Sequence, residues 1–347
     1  MAGNILPPAE NVVNIPFSSL QDRNSDLSKE LEAGFGPGGL GIIAVSEVPG
    51  YASLRRGLLC IAERLAALPE HVKKSLEDPT SRYSFGWSHG KEKLESGSPD
   101  FFKGSFYAHP LMDIPIQEGD LLRYPSFCRP NKWPKEDLPE LESAFKQLAK
   151  VILDVGLLLA FHCDKYVRFK YPSAEKNSLE DILRNSQYHK GRLLHYFPRV
   201  TINESENQDP VSSWCGWHTD HGSLTGLTSA MYTRDGIEIS CPDENAGLYV
   251  RMVNEEIKKV IFSDNQIGYQ MGEVTEILSK GLFHATPHCV QASNVVGVSR
   301  NTFALFMQPS WDQPLHISRG HGDQHEEIVN FGDFSEKTIS KYYKIGI

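Results

Sequence analysis

The chain has 347 residues, which at about 150 residues per domain leaves room for two domains or one large one. Hydrophobic residues make up 40% of it and charged residues 23%, so the composition argues against a disordered protein. The formal net charge of −9 argues against binding to nucleic acid or anionic membranes, because both need clustered lysines and arginines.

The start of the chain and its cysteines indicate the cellular setting. The opening residues lack the basic and apolar regions of a signal peptide, and no stretch approaches the roughly 20 apolar residues of a membrane span. The six cysteines are scattered, without a C-x-x-C pair, as in a protein with reduced thiols. We therefore expect a cytoplasmic monomer with no membrane or nucleic-acid partner.

The first half of the chain is predicted to contain short strands and helices. In chain order, the pattern predicts an apolar segment at 12–17, a helix that opens at Ser25 and Asp26, a buried strand at 42–45 and a helix at about 52–68. A longer helix is predicted from about Pro139 to His162. Its apolar residues are spaced 4, 3, 4, 3 and 4 apart and so share one stripe: Leu141, Phe145, Leu148, Ile152, Val155 and Leu159. At 1.5 Å per residue this helix is on the order of 36 Å long, enough to brace a sheet.

After Arg192 the apolar period changes to that of short strands. Such runs recur, with turn residues between them, at 193–197, 224–232, 248–252, 258–262, 287–291 and 302–307. Asp235 and Gly236 form a hairpin signal between the β-rich residues at 231–232 and those at 237–239. This pattern predicts a mainly β fold with flanking helices, whose core is a double-stranded β-helix, or jelly roll.

Three His-x-Asp pairs occur in the chain: His162/Asp164, His218/Asp220 and His321/Asp323. The first lies at the predicted end of the long helix, where we interpret the histidine as facing the negative end of the helix dipole. The last lies in a polar, glycine-containing segment that we interpret as a solvated loop. The middle pair leads into an apolar run, and on extended backbone its two side chains share a face and can bind one ion.

A third ligand is available about seventy residues later, where His284 and His288 are both candidates. Two histidines and one carboxylate leave open positions on a metal, an arrangement associated with non-haem Fe(II) oxygenases, although zinc can take the same ligands. Arg300 and Thr302 open the last apolar strand and share one of its faces. A guanidinium and a hydroxyl so placed can hold the distal carboxylate of a 2-oxo diacid whose other end chelates the iron.

These motifs together resemble a known family. The segments W-H-T-D-H-G-S-L-T at 217–225, A-T-P-H-C-V at 285–290 and R-N-T-F at 300–303 are similar to those of the plant-type 2-oxoglutarate- and Fe(II)-dependent dioxygenases, the isopenicillin N synthase-like superfamily. The likeness extends along most of the chain, through segments at 14–17, 39–43, 192–198, 247–250 and 336–343.

The resemblance implies a catalytic metal centre in which His218, Asp220 and His288 bind Fe(II), with His284 outside the site. It implies that Arg300 and Thr302 anchor 2-oxoglutarate, with threonine where the family usually has serine.

Two departures from the family concern the segment at 192–198. His195 and Phe197 stand where the family has an asparagine and a tyrosine that help to seat the cosubstrate. We assign His195 to cosubstrate binding, in place of the lost phenol.

The activity implied is oxidation of a small organic metabolite, most commonly hydroxylation, with O2 and 2-oxoglutarate converted to succinate and CO2. Desaturation and demethylation stay open, and ascorbate is a candidate accessory factor. Two alternatives are an iron oxidase of the same fold that uses no 2-oxoglutarate, and a non-catalytic jelly roll that binds a metal or ligand.

We assign residues 1–347 to a single domain. In it, 1–190 form a region of helices and strands that braces the core, 190–310 form the jelly roll with the metal site, and 311–347 form a C-terminal tail and helix. By resemblance, the segment 83–107 covers the substrate pocket, and a hairpin within 233–244 overhangs its mouth. We expect Cys215 and Cys289 to be buried thiols, while Trp214 and Trp217 fit the pocket and the core equally well.

Overall fold

The computed structural model describes residues 7–93, 97–114, 124–172, 178–199, 214–318 and 326–342. His321 and Asp323, which we interpret as part of a loop, lie outside these residues, as does Tyr343 at the end of the C-terminal segment. No helix in the described ranges combines the length and the apolar character that crossing a membrane requires.

Strands and helices alternate in the first half of the chain, and strands predominate in the second. The strands are β1 (Ala9–Asn11), β2 (Val13–Pro16), β3 (Ile42–Ser46), β4 (Gly86–His89), β5 (Lys103–Ala108), β6 (Lys190–Tyr196), β7 (Cys215–His218), β8 (Leu224–Thr228), β9 (Met231–Arg234), β10 (Ile237–Ile239), β11 (Gly247–Arg251), β12 (Ile257–Ile261), β13 (Ile267–Met271), β14 (His288–Gln291), β15 (Ser299–Met307), β16 (Pro314–Ser318) and β17 (Glu326–Asn330). The helices are α1 (Phe17–Gln21), α2 (Ser28–Phe35), α3 (Tyr51–Ala66), α4 (Glu70–Leu76), α5 (Leu141–Lys170), α6 (Leu179–Asn185), α7 (Glu273–Leu278) and α8 (Phe331–Tyr342).

Two sheets form the core. The larger runs in the order β2-β3-β13-β8-β15-β6-β5-β4, with the β9–β10 hairpin attached to β15, and the smaller runs β1-β12-β11-β14-β7. Apolar side chains of the two sheets pack together: Leu194, Tyr196 and Tyr232 of the larger sheet lie in one cluster with Val290 and Trp214. This confirms the predicted mainly β fold with a jelly-roll core and flanking helices.

Alternation along β15 decides which side chains face the inside of the jelly roll. Arg300, Thr302 and Ala304 line a cavity inside it. Leu305 and Met307 belong to the core cluster formed with the helices on the outer face of the larger sheet. Period-two alternation therefore separates the side chains that line the cavity from those that pack against the helices.

Helix α5 packs against that outer face, and all six residues of its predicted apolar stripe are buried. The helix continues to Lys170, because buried Cys163 and Tyr166 extend the stripe beyond the predicted end. The prediction that His162 lies at the helix end is therefore wrong. His162 is buried within the helix, and its Nε2 lies 3.0 Å from the carbonyl oxygen of Leu20.

The predicted hairpin is confirmed. Asp235 and Gly236 connect β9 to β10 with φ angles of 50° and 76°, the left-handed values that a tight primed turn requires. Strands β4, β5 and β13 escaped the sequence prediction, although all three belong to the larger sheet.

Helix α5 approaches the sheet closely at Gly226 of β8. A β-carbon added there would lie 2.2 Å from Cγ2 of Ile152, a branched side chain that is fully buried. We predict that Gly226→Ala lowers the free energy of unfolding by about 1–3 kcal/mol, since the helix or strand must shift. Urea denaturation measures this loss.

Gly57→Ala is the matched control. Gly57 is an exposed residue of α3 whose added β-carbon would meet no atom within 4 Å. Its replacement should raise the stability, by up to about 1 kcal/mol, because alanine favours a helix. Equal effects at the two positions would contradict close packing at Gly226.

Candidate metal and cosubstrate site

Antiparallel pairing of β7 with β14 places His218 directly opposite His288, with ring centroids 4.2 Å apart. Asp220 follows β7, and its Oδ1 lies 3.9 Å from Nε2 of His218 and 4.0 Å from Nε2 of His288. Potential ligand atoms of the three residues all lie within 4.8 Å of one another. The three side chains that the sequence singled out thus meet around one point.

The outer nitrogens of both imidazoles have partners of their own. Nδ1 of His218 lies 2.9 Å from the carbonyl oxygen of Gly216. Nδ1 of His288 lies 3.3 Å from the carbonyl oxygen of Thr286 and 2.8 Å from Nε2 of the Gln270 side-chain amide. An Nδ1–H that donates to a carbonyl leaves the Nε2 lone pair for a metal. At His218 the carbonyl of Gly216 therefore favours an Nδ1–H donor and leaves Nε2 toward Asp220, where a metal would bind.

Two members of this group, Asp220 and His288, have protonation states that suit a divalent metal. Burial opposes ionisation of Asp220, but the two imidazoles and a 2.6 Å hydrogen bond from the Thr225 hydroxyl hold its pKa below the usual range. Burial, reinforced by His218, lowers the pKa of His288 to about 4, so that this imidazole is neutral near pH 7. A carboxylate and a neutral imidazole are the forms in which these groups bind metals. Burial opposes protonation of the third member, His218, but Cys215 and Asp220 raise its pKa to about 9, so a bound metal would displace that proton.

The structure separates the two candidates for the third ligand. Nδ1 of His284 lies 3.4 Å from Oε2 of Glu276 on helix α7, outside the group around Asp220. His288 begins β14 and therefore shares the ladder with His218. The placement of His284 outside the site agrees with what the family resemblance implied.

A cavity of about 400 Å³ lies between the sheets and is lined by the His218, Asp220 and His288 group together with Arg300 and Thr302. Arg300 is only 6% exposed, and its Nε and Nη1 have no hydrogen-bond partner among the described residues. Buried donors without acceptors are costly. A carboxylate in the cavity would relieve this cost, because it matches the guanidinium in both charge and shape.

Tyrosines flank Arg300 on both neighbouring strands. Tyr196 of β6 and Tyr232 of β9 are its register partners, and both line the cavity. The guanidinium lies 4.8 Å from the ring centroid of Tyr196. Burial, although opposed by Arg300, raises the pKa of Tyr232, so its phenol stays a neutral donor. The sequence alone did not single out either tyrosine. Tyr196 lies two residues after Leu194 on the same strand and so shares its face, which is the signal that could have identified it.

The structure corrects the assignment of His195. This residue is the register partner of Asn301, not of Arg300, and its Nδ1 lies 2.8 Å from Oδ1 of Asn301. Its side chain therefore lies on the strand face opposite Leu194 and Tyr196, away from the cavity that those two residues line. Moving by one residue along a strand reverses the face, and His195 is accordingly absent from the residues that line the cavity.

The other predictions near the site have mixed outcomes. Trp214 is a core residue, 1% exposed and packed 5.4 Å from the ring of Tyr196. Cys289 is buried as expected, whereas Cys215 lines the cavity with Sγ 3.9 Å from Nδ1 of His218. The overhanging hairpin is confirmed in part, since Glu238, Ile239, Ser240 and Cys241 border the cavity.

No family model and no curated protein sequence matches the chain. Solved structures match it over nearly its whole length. A full-length protein of Neurospora crassa, crystallised in complex with alpha-KG, is 19% identical, with a TM-score of 0.69, over 95% of this chain and 96% of the other. The chain has the fold of the 2-oxoglutarate- and Fe(II)-dependent oxygenases.

Two further structures share this fold. A putative 2OG-Fe(II) oxygenase family protein from Caulobacter crescentus is 17% identical, with a TM-score of 0.71, over 95% of this chain and 98% of the other. JOX2, solved in complex with 2OG, Fe and JA, is 15% identical, with a TM-score of 0.64, over 96% of this chain and 86% of the other.

The separation of the two histidines predicts different effects of the same substitution. His288→Ala should abolish stoichiometric binding of Mn(II) or Co(II), because it removes an imidazole from the group around Asp220. His284→Ala is the matched control and should leave the metal affinity unchanged within about twofold. Isothermal titration calorimetry of both variants measures the effect, and metal loss in the His284 variant alone would reverse the assignment.

Proposed function

We propose that the protein is an Fe(II)- and 2-oxoglutarate-dependent dioxygenase that oxidises, by hydroxylation, a small organic molecule. The observation that carries the proposal is the buried Arg300, whose Nε and Nη1 lack hydrogen-bond partners among the described residues and which lines the cavity that holds the His-Asp-His group. Similar structures solved with alpha-KG, and with 2OG and Fe, support it. An iron site without a carboxylate anchor would give Arg300 no role.

Each residue has a defined task in this proposal. His218 and His288 offer Nε2 and Asp220 offers a carboxylate oxygen to Fe(II), while the carbonyl oxygens behind the imidazoles hold the rings in place. Arg300 pairs with the distal carboxylate of 2-oxoglutarate, and the hydroxyl of Thr302 donates to the same group.

The surrounding side chains hold the cosubstrate and exclude water. Tyr196 and Tyr232 flank the guanidinium, while Leu194, Leu227 and Phe306 supply apolar wall. Bound Fe(II) supplies the chemistry in which O2 converts 2-oxoglutarate to succinate and CO2 and oxidises a C–H bond of the substrate. The protein contributes a partly buried cavity, in which the attraction between Arg300 and the distal carboxylate is stronger than in bulk water.

The proposal predicts that His218→Ala abolishes succinate formation, because a ligand to the metal is lost. Succinate and oxygen uptake are measured on the iron-loaded protein with 2-oxoglutarate. An alanine variant that produces succinate at the parental rate would refute the assignment. Oxygen uptake without succinate formation in the parent would favour the iron oxidase that uses no 2-oxoglutarate.

Arg300→Lys distinguishes this proposal from metal binding alone. Lysine keeps the charge but loses the two-pronged guanidinium, so 2-oxoglutarate affinity should fall by about 1.5–3 kcal/mol, or roughly ten- to a hundredfold. Metal affinity should hardly change. Calorimetric titrations with Mn(II) and then with 2-oxoglutarate measure both. A variant with parental 2-oxoglutarate affinity, or one that loses the metal, would contradict the role of Arg300.

A further inference from the structure

A second arginine lines the same cavity. Arg192 lies on β6, on the same face as Leu194 and Tyr196, and its side chain is 14% exposed. Its Nε and Nη2 donate to Oγ of Ser105 at 3.0 and 2.8 Å, and Nη2 also donates to Oε1 of Glu92 at 2.6 Å. Its guanidinium lies 5.0 Å from the ring centroid of Tyr107. Strand β5 and Glu92 therefore hold this guanidinium in one orientation.

Behind Arg192 lies a set of paired charges. Nζ of Lys103 lies 3.1 Å from Oε2 of Glu92 and also contacts Asp100, and Lys103 and Asp100 are almost fully buried. Burial opposes ionisation of Glu92, but Arg192 and Lys103 hold its pKa well below the usual range. The charges of Arg192 and Lys103 are therefore balanced by those of Glu92 and Asp100, and the group as a whole is neutral.

The two ends of the cavity therefore differ electrically. At one end Arg300 has buried donors without partners among the described residues, which suits the dianionic cosubstrate. At the other end the charge of Arg192 is already matched by Glu92. A carboxylate bound at Arg192 would compete with Glu92 for one guanidinium, and the repulsion between two partly buried carboxylates would disfavour it. An uncharged acceptor has no such cost.

We propose that Arg192 is a substrate-binding residue that selects an uncharged substrate, whose carbonyl or amide oxygen accepts a hydrogen bond from the guanidinium. The inference rests on the proposed function, because it places this substrate in the cavity shared with the metal group and Arg300. Glu92 is the positioning residue that sets the charge preference, since it neutralises Arg192 and fixes its orientation.

The test uses pairs of compounds of nearly equal size and shape, one an uncharged amide and the other a carboxylate: benzamide and benzoate, nicotinamide and nicotinate, and indole-3-acetamide and indole-3-acetate. Binding to the protein loaded with Mn(II) and 2-oxoglutarate is measured by calorimetry, and succinate release is measured separately with Fe(II). In the parent, the amide of the best-bound pair should bind at least about tenfold more tightly than the acid, a difference of about 1.4 kcal/mol.

Glu92→Gln keeps the size of the side chain and its hydrogen-bond acceptor but removes one negative charge. The group of charges around Arg192 is then net positive, so the ratio of amide affinity to acid affinity should shift by about tenfold or more toward the acid. A purely structural role of Glu92 would weaken both members of a pair equally. An unchanged preference in this variant, or a parent that prefers the acids, overturns the proposal.

Arg192→Gln should weaken amide binding by about tenfold or more while leaving 2-oxoglutarate affinity unchanged. The matched control is Arg64→Gln, since Arg64 forms an exposed ion pair with Glu140 on the surface. Binding of none of the six compounds to the parent also overturns the proposal. A parent that fails to bind 2-oxoglutarate would instead refute the proposed function, and the separate 2-oxoglutarate titration distinguishes the two failures.

Discussion

The candidate site depends on the antiparallel ladder between β7 and β14. This ladder sets His218 opposite His288, although seventy residues separate them in the chain, and it brings the carboxylate of Asp220 within 4.0 Å of both Nε2 atoms. On its other side β14 pairs with β11, where Val250 lies opposite His288. A shift of one residue in this register would turn an imidazole out of the cavity, so strand pairing and metal binding constrain each other.

The larger sheet forms the opposite wall, and helix α5 holds it from behind. Contact between Ile152 and Gly226 and the ring contact of Phe145 with Phe303 at 5.0 Å fill the outer face of this sheet with apolar side chains. Arg300 then has only the inner face available, and the core packing thereby places a cation inside the jelly roll. Packing on one side of a strand thus positions the chemistry on its other side.

Charge is distributed unequally within the cavity. Arg192 is matched by Glu92, whereas Arg300 has donors without acceptors among the described residues, and Asp220 lies between two imidazoles. An unmatched buried cation destabilises the protein until an anion binds. A cosubstrate that pairs with Arg300 should therefore also stabilise the fold, since a ligand that binds only the native state shifts the unfolding equilibrium.

Local periodicity in the sequence was sufficient for several features of this protein. His218 and Asp220 are two residues apart, as are Arg300 and Thr302, so each pair shares a strand face. The apolar stripe of the long helix likewise follows from residues three or four positions apart. The choice between His284 and His288, the outward face of His195 and the ion pairs around Arg192 depended on the tertiary structure. Each of these is decided by register or contact between segments far apart in the chain, which no local period encodes.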